Sequence, residues 1–335
     1  MIPAIFSLAG LEPSPDERAL FARVRPAGYI LFNRNCRSAA QVRALTDALR
    51  DLSNDERLPI LIDHEGGRVQ MLREPPAGLM GELAELIGRN HNHEFPPTPP
   101  AGRFGALWRD DPDAARAAAW ESGVAVGRML RGVGISVNCA PVLDVRREGA
   151  HDVIGDRSLG RDPDVVADLG GATLAGLREG GVEGVLKHIP GHGRALVDSH
   201  RGLPVVDADV VELERTDFEP FRRLAGDAVY AMTAHIVYAA IDPDRPVTQS
   251  TEVIDRIIRG HCGFDGALMT DAIEMAALKG TPGERARRSV EAGCDLVLCC
   301  AGAIGPMHDV AANLAPISAR ALDRLERAKA RLAPF

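Results

Sequence analysis

The sequence predicts an α/β protein folded as a single-domain (β/α)₈ barrel. Strand-like apolar runs alternate with helix-like segments along the 335 residues, and such alternation specifies a parallel sheet. About eight strand-like runs are present, which is the number that a closed barrel needs. Polar candidates follow many different strands, from Asp63 to Asp271. A ring of loops requires this arrangement, whereas an open sheet would concentrate such residues near one switch point.

The predicted strands and helix starts follow from local patterns. The strands are expected at residues 5–9, 28–32, 59–62, 135–141, 182–188, 229–235, 267–270 and 295–300. Asp111 and Asp162 each precede a proline suited to the first helical turn, so both are predicted to cap helices. Thr281 and Glu284 predict a capping box. Residues 74–103 interrupt the alternation with a proline-rich stretch, which we expect to be a long excursion from the barrel.

Composition limits the classes of function. The chain is 45% hydrophobic and carries a net charge of -8, so a nucleic-acid or anionic-membrane partner is not expected. Residues 1–11 lack a basic flank and predict a first strand rather than a signal peptide. The six cysteines have no C-x-x-C spacing, which favours reduced thiols in a cytoplasmic protein. We expect a monomer.

The stretch Lys187 to Gly193, followed by Asp198-Ser199-His200, is the most informative part of the chain. It follows an apolar strand and therefore places a cation, imidazoles and a carboxylate on one loop at the barrel mouth, where barrels of this type carry their chemistry. The alternative is a polar turn that merely contains histidines. Exposed polar clusters on a rigid scaffold favour a site.

Further candidates follow the third predicted strand. Asp63 and Arg68 flank the pair Gly66-Gly67, which lets backbone approach a ligand closely. A carboxylate is suited to the vicinal hydroxyls of a sugar, so both side chains are predicted to bind substrate. A structural Asp–Arg pair beneath a tight turn is the alternative.

Asp271 follows the seventh predicted strand directly, so it is expected at the mouth as a nucleophile, base or metal ligand. A helix cap is the alternative, because residues 272–278 resemble a helix. Arg157, after the fourth strand, is a candidate for a fixed cation.

Several enzyme classes are disfavoured. No G-x-S-x-G elbow is present, so a serine hydrolase is not expected. No G-x-G-x-x-G follows a strand, which leaves a dinucleotide site unsupported. The H-x-H at residues 91–93 lies in the irregular excursion, so zinc is disfavoured.

The remaining residues fit covalent catalysis at a sugar carbon. Asp271 would attack, and His200 would protonate the leaving oxygen and then activate water. Asp198 would orient the imidazole of His200 and stabilise its cation. Asp198 could instead be the acid itself, but a histidine titrates nearer neutral pH.

At these residues the chain resembles the bacterial β-N-acetylglucosaminidases of glycoside hydrolase family 3, the single-domain cytoplasmic kind that serves cell-wall recycling. The resemblance covers nearly the whole chain. Its motifs are D-x-E-G-G-R-V at 63–69, A-P-V-L-D at 140–144, I-G-D-R-S at 154–158, K-H-I-P-G-H-G at 187–193, D-S-H at 198–200 and M-T-A-H at 232–235.

The resemblance implies a TIM barrel, a retaining mechanism and no metal or organic cofactor. It matches Asp271 to the nucleophile, His200 to the acid/base and Asp198 to its partner. The residues that it matches to binding of the N-acetylglucosamine unit are Asp63, Arg157, Lys187 and His188. The implied substrate is a muropeptide, N-acetylglucosamine β-linked to 1,6-anhydro-N-acetylmuramic acid with or without peptide.

Three positions depart from the family pattern. His64 stands where the family often has Gln, Met71 replaces a sugar-binding arginine, and Ala272 replaces the second acid after the nucleophile. Arg73 or Arg103 could substitute for the arginine. These departures affect substrate preference more than reaction type.

Two other functions stay open. A glycoside phosphorylase is one, because an imidazole acid/base does not repel phosphate as a carboxylate does. A non-catalytic sugar or muropeptide sensor is the other, motivated by Met71 and Ala272. The glycines Gly191 and Gly193 also predict a mobile loop that brings His200 to Asp271 only when substrate is bound.

Overall fold

Eight parallel strands close into a barrel in the computed structural model, which describes residues 1–73 and 95–335. Each strand pairs with the next along the chain and the last pairs with the first. The strands are Ile2–Phe6 (β1), Pro26–Leu31 (β2), Ile60–Ile62 (β3), Val137–Asn138 (β4), Glu183–Ile189 (β5), Tyr230–Thr233 (β6), Ala267–Ala272 (β7) and Leu296–Cys299 (β8). The predicted fold class is confirmed. The H-x-H at 91–93 and the excursion up to residue 94 lie outside the described residues.

Helices surround the barrel. They are Pro15–Val24 (α1), Ala39–Ser53 (α2), Gly102–Trp108 (α3), Pro112–Gly132 (α4), Pro163–Glu179 (α5), Val210–Arg215 (α6), Glu219–Leu224 (α7), Pro282–Ala292 (α8), Ile304–Asn313 (α9) and Ala319–Ala330 (α10). A π-helical segment spans Val253–His261. The predicted caps of α4 and α5 and the capping box of α8 are confirmed: Asp111, Asp162 and the pair Thr281 and Glu284 bond the first-turn backbone as expected.

Two strand boundaries differ from the prediction in ways that matter for the site. β4 ends at Asn138, and the chain beyond it reaches β5 through isolated bonds such as Leu143 N–H to the Lys187 carbonyl. β7 extends through Asp271 to Ala272. The helix that residues 272–278 resemble is absent, because this stretch forms turns whose carbonyl groups accept hydrogen bonds from side chains. Asp271 therefore ends a strand rather than capping a helix.

Apolar side chains fill the barrel interior and the space between sheet and helices. The interior includes Ile30, Leu61, Val185 and Met269, all fully buried, and this packing fixes the strand ends that carry the site. All six cysteines are free thiols. In the described ranges, no helix combines the length and the apolar character needed to cross a membrane.

Candidate active site

A cavity of about 260 Å³ lies at the carboxyl end of the barrel strands. Side chains at the ends of six strands, or in the loops that follow them, line it, and they include most of the sequence-predicted site. The lining residues with ionisable or hydroxyl groups are Asp63, Glu65, Arg157, Lys187, His188, His192, Ser199, His200 and Asp271. Larger grooves of about 520 and 550 Å³ lie elsewhere on the described surface and contain none of the predicted catalytic residues.

Two carboxylates and two cations form a network on one wall of the cavity. Lys187, buried on β5, donates to Asp63 Oδ1 at 2.7 Å and lies 2.6 Å from Glu65 Oε1. Arg157 donates from Nε and Nη2 to both oxygens of Glu65, each at 2.7 Å. Such a bidentate pair fixes the guanidinium plane as well as its position.

Glu65 and Lys187 stabilise each other in their ionised forms. Burial raises the pKa of Glu65, but Lys187 and Arg157 outweigh it and hold that pKa well below its usual range. Burial lowers the pKa of Lys187, but Asp63 and Glu65 outweigh it and raise that pKa. Both groups are therefore ionised at neutral pH. The D-x-E spacing at 63–65 was the available signal for Glu65, which the sequence-based assignment of binding residues omitted.

Arg68 lies outside the cavity. Its Nη2 donates to the carbonyl groups of residues 152–154, and its Nε lies 3.3 Å from Asp156 Oδ1. Val153 and Ile154 line the cavity, so Arg68 shapes the wall through the loop that it holds. This corresponds to the structural alternative considered for Arg68.

The Gly66-Gly67 pair accommodates the chain itself. Gly66 and Gly67 have φ of 100° and 55°, and a Cβ added to them would lie 2.3 Å from the Pro99 carbonyl oxygen and 2.7 Å from Pro100 Cβ. The close approach that was expected for a ligand is therefore made by the proline-rich stretch, which packs directly on this turn.

A fully buried carboxylate fixes the imidazole of His188. Asp144 Oδ2 accepts a 2.6 Å hydrogen bond from His188 Nδ1, and its Oδ1 accepts the His192 backbone N–H at 2.6 Å. Burial raises the pKa of Asp144, but His188, His192 and these bonds outweigh it and lower that pKa. Asp144 is thus an ionised acceptor that sets the ring orientation. The A-P-V-L-D motif pointed to it without assigning it a role.

Asp271 is placed by the end of β7. Its Oδ1 accepts the Ala272 backbone N–H at 2.7 Å, whereas its other oxygen has no hydrogen-bond donor among the described residues. Burial raises the pKa of Asp271, but His188, His235 and the Ala272 N–H outweigh it and lower that pKa. The carboxylate is therefore ionised and keeps one oxygen available for attack.

The turn after Asp271 is held by side chains from two other elements. His235 Nε2 donates to the Ala272 carbonyl at 3.0 Å, and Arg285 on α8 donates to the Ile273 carbonyl at 2.8 Å. His235 belongs to the M-T-A-H motif, and its buried ring gives that motif a positioning role. Neither residue was among the predicted site residues.

The Asp198-Ser199-His200 loop forms the opposite wall. His200 Nδ1 donates to Asp198 Oδ1 at 2.8 Å, and the His200 ring is 63% exposed. Burial raises the pKa of Asp198, but hydrogen bonds from the backbone and ring of His200 outweigh it and lower that pKa. An ionised Asp198 stabilises a protonated imidazole. His200 and Asp271 line the same cavity.

Of the positions that depart from the family pattern, Met71 lines the cavity and supplies an apolar wall. Arg73 and Arg103 do not line it; Arg103 borders one of the larger grooves. His64 is buried, its Nε2 bonded to Thr98 Oγ1 at 3.2 Å, and burial lowers its pKa to about 4. His64 is therefore a neutral structural group at neutral pH.

The fold and cavity define a barrel enzyme with a candidate nucleophile and a candidate proton carrier at its mouth. Residues 5–332 match the model of the glycosyl hydrolase family 3 N-terminal domain. A β-hexosaminidase of Alkalilimnicola ehrlichii is 40% identical over 301 residues, which are 89% of this chain and 80% of that protein.

Solved structures of the same family have the same fold. The barrel resembles NagZ of Neisseria gonorrhoeae in complex with N-trifluoroacetyl-D-glucosamine, with TM-score 0.84, 32% identity and coverage of 97% of this chain and 88% of that one. A family 3 β-N-acetylglucosaminidase from Paenibacillus sp. FPU-7 gives TM-score 0.86 and 32% identity, covering 98% of this chain but 61% of that chain. The chain belongs to glycosyl hydrolase family 3. It is a glycoside hydrolase of the β-hexosaminidase type.

Proposed function

We propose that this protein is a retaining exo-β-N-acetylglucosaminidase that removes terminal β-linked N-acetylglucosamine from muropeptides during peptidoglycan recycling. The observation that carries the proposal is the shared cavity of Asp271, with one unbonded oxygen, and His200, paired to Asp198. The muropeptide substrate rests on the resemblance of the motifs. The N-acetylglucosamine unit is further supported by the relatives' names and by the sugar derivative bound to NagZ of Neisseria gonorrhoeae.

The proposed chemistry follows from the positions of Asp271 and His200 in the cavity. The free oxygen of Asp271 attacks the anomeric carbon while protonated His200 donates its proton to the departing glycosidic oxygen. The bond from anomeric carbon to leaving oxygen breaks as the bond to Asp271 forms. Neutral His200 then takes a proton from water, whose oxygen displaces Asp271 and restores the enzyme. The Asp198 carboxylate stabilises the imidazolium in both steps.

The charged network holds the sugar. Asp63, Lys187, Arg157 and His188 present acceptors and donors from fixed positions, so little ordering is needed when the hydroxyls bind. Arg68 contributes indirectly by holding residues 152–154. A cavity of about 260 Å³ is smaller than a typical pocket for a drug-sized ligand, and this supports cleavage of a single terminal sugar.

The test is release of p-nitrophenol from its β-N-acetylglucosaminide by wild type, Asp271→Asn and the exposed control Asp110→Asn. Hydrolysis in phosphate-free buffer that persists in the control and falls by roughly 10³-fold or more in Asp271→Asn supports the assigned nucleophile. Retention of most activity by Asp271→Asn would refute it.

Further assays with phosphate and with natural substrates test the reaction type and the substrate. Phosphate-dependent formation of sugar 1-phosphate would identify a phosphorylase in place of a hydrolase. Release of N-acetylglucosamine from the anhydromuropeptide with a higher kcat/KM than from chitobiose supports the recycling substrate, and the opposite order contradicts it. Binding of the muropeptide without turnover would indicate a sensor.

A further inference from the structure

We propose that Ser199 is a positioning residue that latches the loop carrying His200 to the barrel mouth and to the turn after Asp271. The proposal rests on the proposed function, because it concerns the placement of the assigned acid/base. It adds a residue that touches no reacting atom and acts through its neighbours.

Ser199 points inward between two residues that face the opening. It is 3% exposed, whereas the His200 side chain is 63% exposed. The Ser199 hydroxyl shares a 3.3 Å hydrogen bond with His192 Nε2. The Ser199 carbonyl accepts the Ala277 backbone N–H at 3.2 Å. One buried residue is therefore tied both to the start of its own loop, at His192, and to the turn after Asp271, at Ala277.

Both partners of Ser199 are fixed. His192 is buried, and its backbone N–H donates to Asp144, the carboxylate that also orients His188. Burial lowers the pKa of His192 to about 4, even though Asp144 opposes this, so the ring is neutral at neutral pH. Ala277 belongs to the turn at residues 272–278. Arg285 donates hydrogen bonds to the carbonyl groups of Ile273 and Met275 in that turn. The latch thus joins the loop to the segment whose partner Asp144 orients His188, and to the turn that follows Asp271.

The rest of the loop has few other attachments. Within the described chain, the hydrogen bonds from residues 196–202 to other residues are those two of Ser199; the remainder are internal, such as Arg201 N–H to the Asp198 carbonyl. Leu196 and Val197 are 67% and 46% exposed and pack little. The loop therefore depends on Ser199 for its position, and weakening one bond shifts its open population.

The consequence is specific to proton transfer. Ser199→Ala removes the hydroxyl bond to His192 and keeps the carbonyl bond to Ala277, so it displaces His200 rather than the turn after Asp271. Loss of the hydroxyl therefore slows reactions that need a protonated leaving group. Aryl leaving groups of low pKa depart without this help. For Ser199→Ala we expect kcat/KM to fall about fivefold with phenyl β-N-acetylglucosaminide, the effect of one ordinary hydrogen bond. With the 2,4-dinitrophenyl substrate it stays within about twofold of wild type. Ser199→Thr, which retains a hydroxyl, restores the phenyl reaction.

His200→Ala separates this proposal from the proposed function. The diagnostic pattern is a loss of kcat/KM with the phenyl substrate that is much larger than the loss with the 2,4-dinitrophenyl substrate. If His200→Ala shows this pattern strongly and Ser199→Ala lacks it, the latch is wrong and the acid/base assignment stands. If His200→Ala also lacks the pattern, the acid/base assignment itself fails. An equal loss with both substrates in Ser199→Ala would indicate a purely structural role and overturn the latch.

A second measurement follows the loop directly. Arg201 is exposed and has no side-chain partner in the described ranges, so trypsin can cut after it when the loop opens. Ser199→Ala should be cut there about fivefold faster in native conditions. Ser136→Ala is the matched control, since Ser136 is buried and bonds the Ile60 N–H at the opposite end of the barrel. An unchanged cutting rate in Ser199→Ala, or an equal increase in Ser136→Ala, would contradict the latch.

Discussion

The two walls of the cavity are held by different means. The Asp63, Glu65, Lys187 and Arg157 network is tied by short ionic bonds, and the side chains of Lys187 and Glu65 are only 2% and 4% exposed. The wall that carries His200 is open and attached through one serine. Charges that leave water need fixed partners, whereas a proton carrier must exchange protons with solvent and move against a leaving group. The ionic network is therefore anchored by buried Lys187 on β5, whereas the proposed proton carrier lies on a loop.

The largest effect should separate activity from stability. For His200→Ala we expect kcat/KM with the phenyl substrate to fall by about 10²–10⁴-fold, the usual contribution of a general acid. The unfolding free energy should change by less than about 0.5 kcal/mol because the ring is exposed. Urea titration beside the assay measures both. A large loss of stability would mean that the loop supports the fold, and the contrast between the walls would fail.

The reverse should hold for the ionic wall. Lys187→Met removes a cation from the buried Glu65 carboxylate and from the partly exposed Asp63, so the unfolding free energy should fall by about 3 kcal/mol, together with activity. Arg256→Met, at an exposed cation paired to Glu252, is the control and should change it by less than about 1 kcal/mol. Equal changes of the unfolding free energy in the two variants would show that burial of the network adds nothing to the cost of removing its cation.

Acid should weaken the same wall. The pKa of Glu65 is depressed in the folded protein, so the stability that its ionised form contributes is present above the unfolded pKa of about 4.3 and is lost as the pH falls below it. Between pH 5 and 3.5 the unfolding free energy of the wild type should fall by about 1 kcal/mol more than that of Glu65→Gln. Urea unfolding at each pH tests this. Equal falls of the unfolding free energy with pH in the two proteins would contradict it.

The smallest effect concerns the departure at Met71. Its side chain lines the cavity as an apolar surface, so Met71→Ala should raise KM about threefold and leave kcat unchanged, as expected for uniform binding. Steady-state kinetics with the p-nitrophenyl substrate and the muropeptide measure it. A fall in kcat instead would mean that Met71 orients the reacting groups.

Much of the fold was predictable because it depends on local patterns. All eight strands were predicted close to their observed positions, and the caps at Asp111, Asp162 and Thr281 are confirmed. Capping and apolar periodicity act within a few residues, so they survive in any tertiary context. Residues 272–278 resemble a helix in composition, which made a helix cap the alternative for Asp271. Donors from His235 and Arg285, which are distant in the chain, take carbonyl groups of this stretch instead.

The members of the site were more predictable than their pairings. Asp63, Arg157, Lys187, His188 and their companions on the other wall follow strand ends, and strand ends of a parallel barrel converge on one face. The partner of each charge was not predictable. Arg157 and Glu65 are 92 positions apart, and Arg68 turns to a loop 84 positions away. Only closure of the barrel brings such residues together.

By itself, the sequence determined the barrel, the order of its strands and the residue types that gather at its mouth, because periodicity, capping and motifs are properties of neighbouring residues. The tertiary structure alone decided which groups are charged, which are fixed and which are free to move. Asp271 has an unbonded oxygen, Asp144 orients His188, and Ser199 is buried beneath an exposed His200. Those facts depend on burial and on distances between strands, and both arise only when the sheet closes.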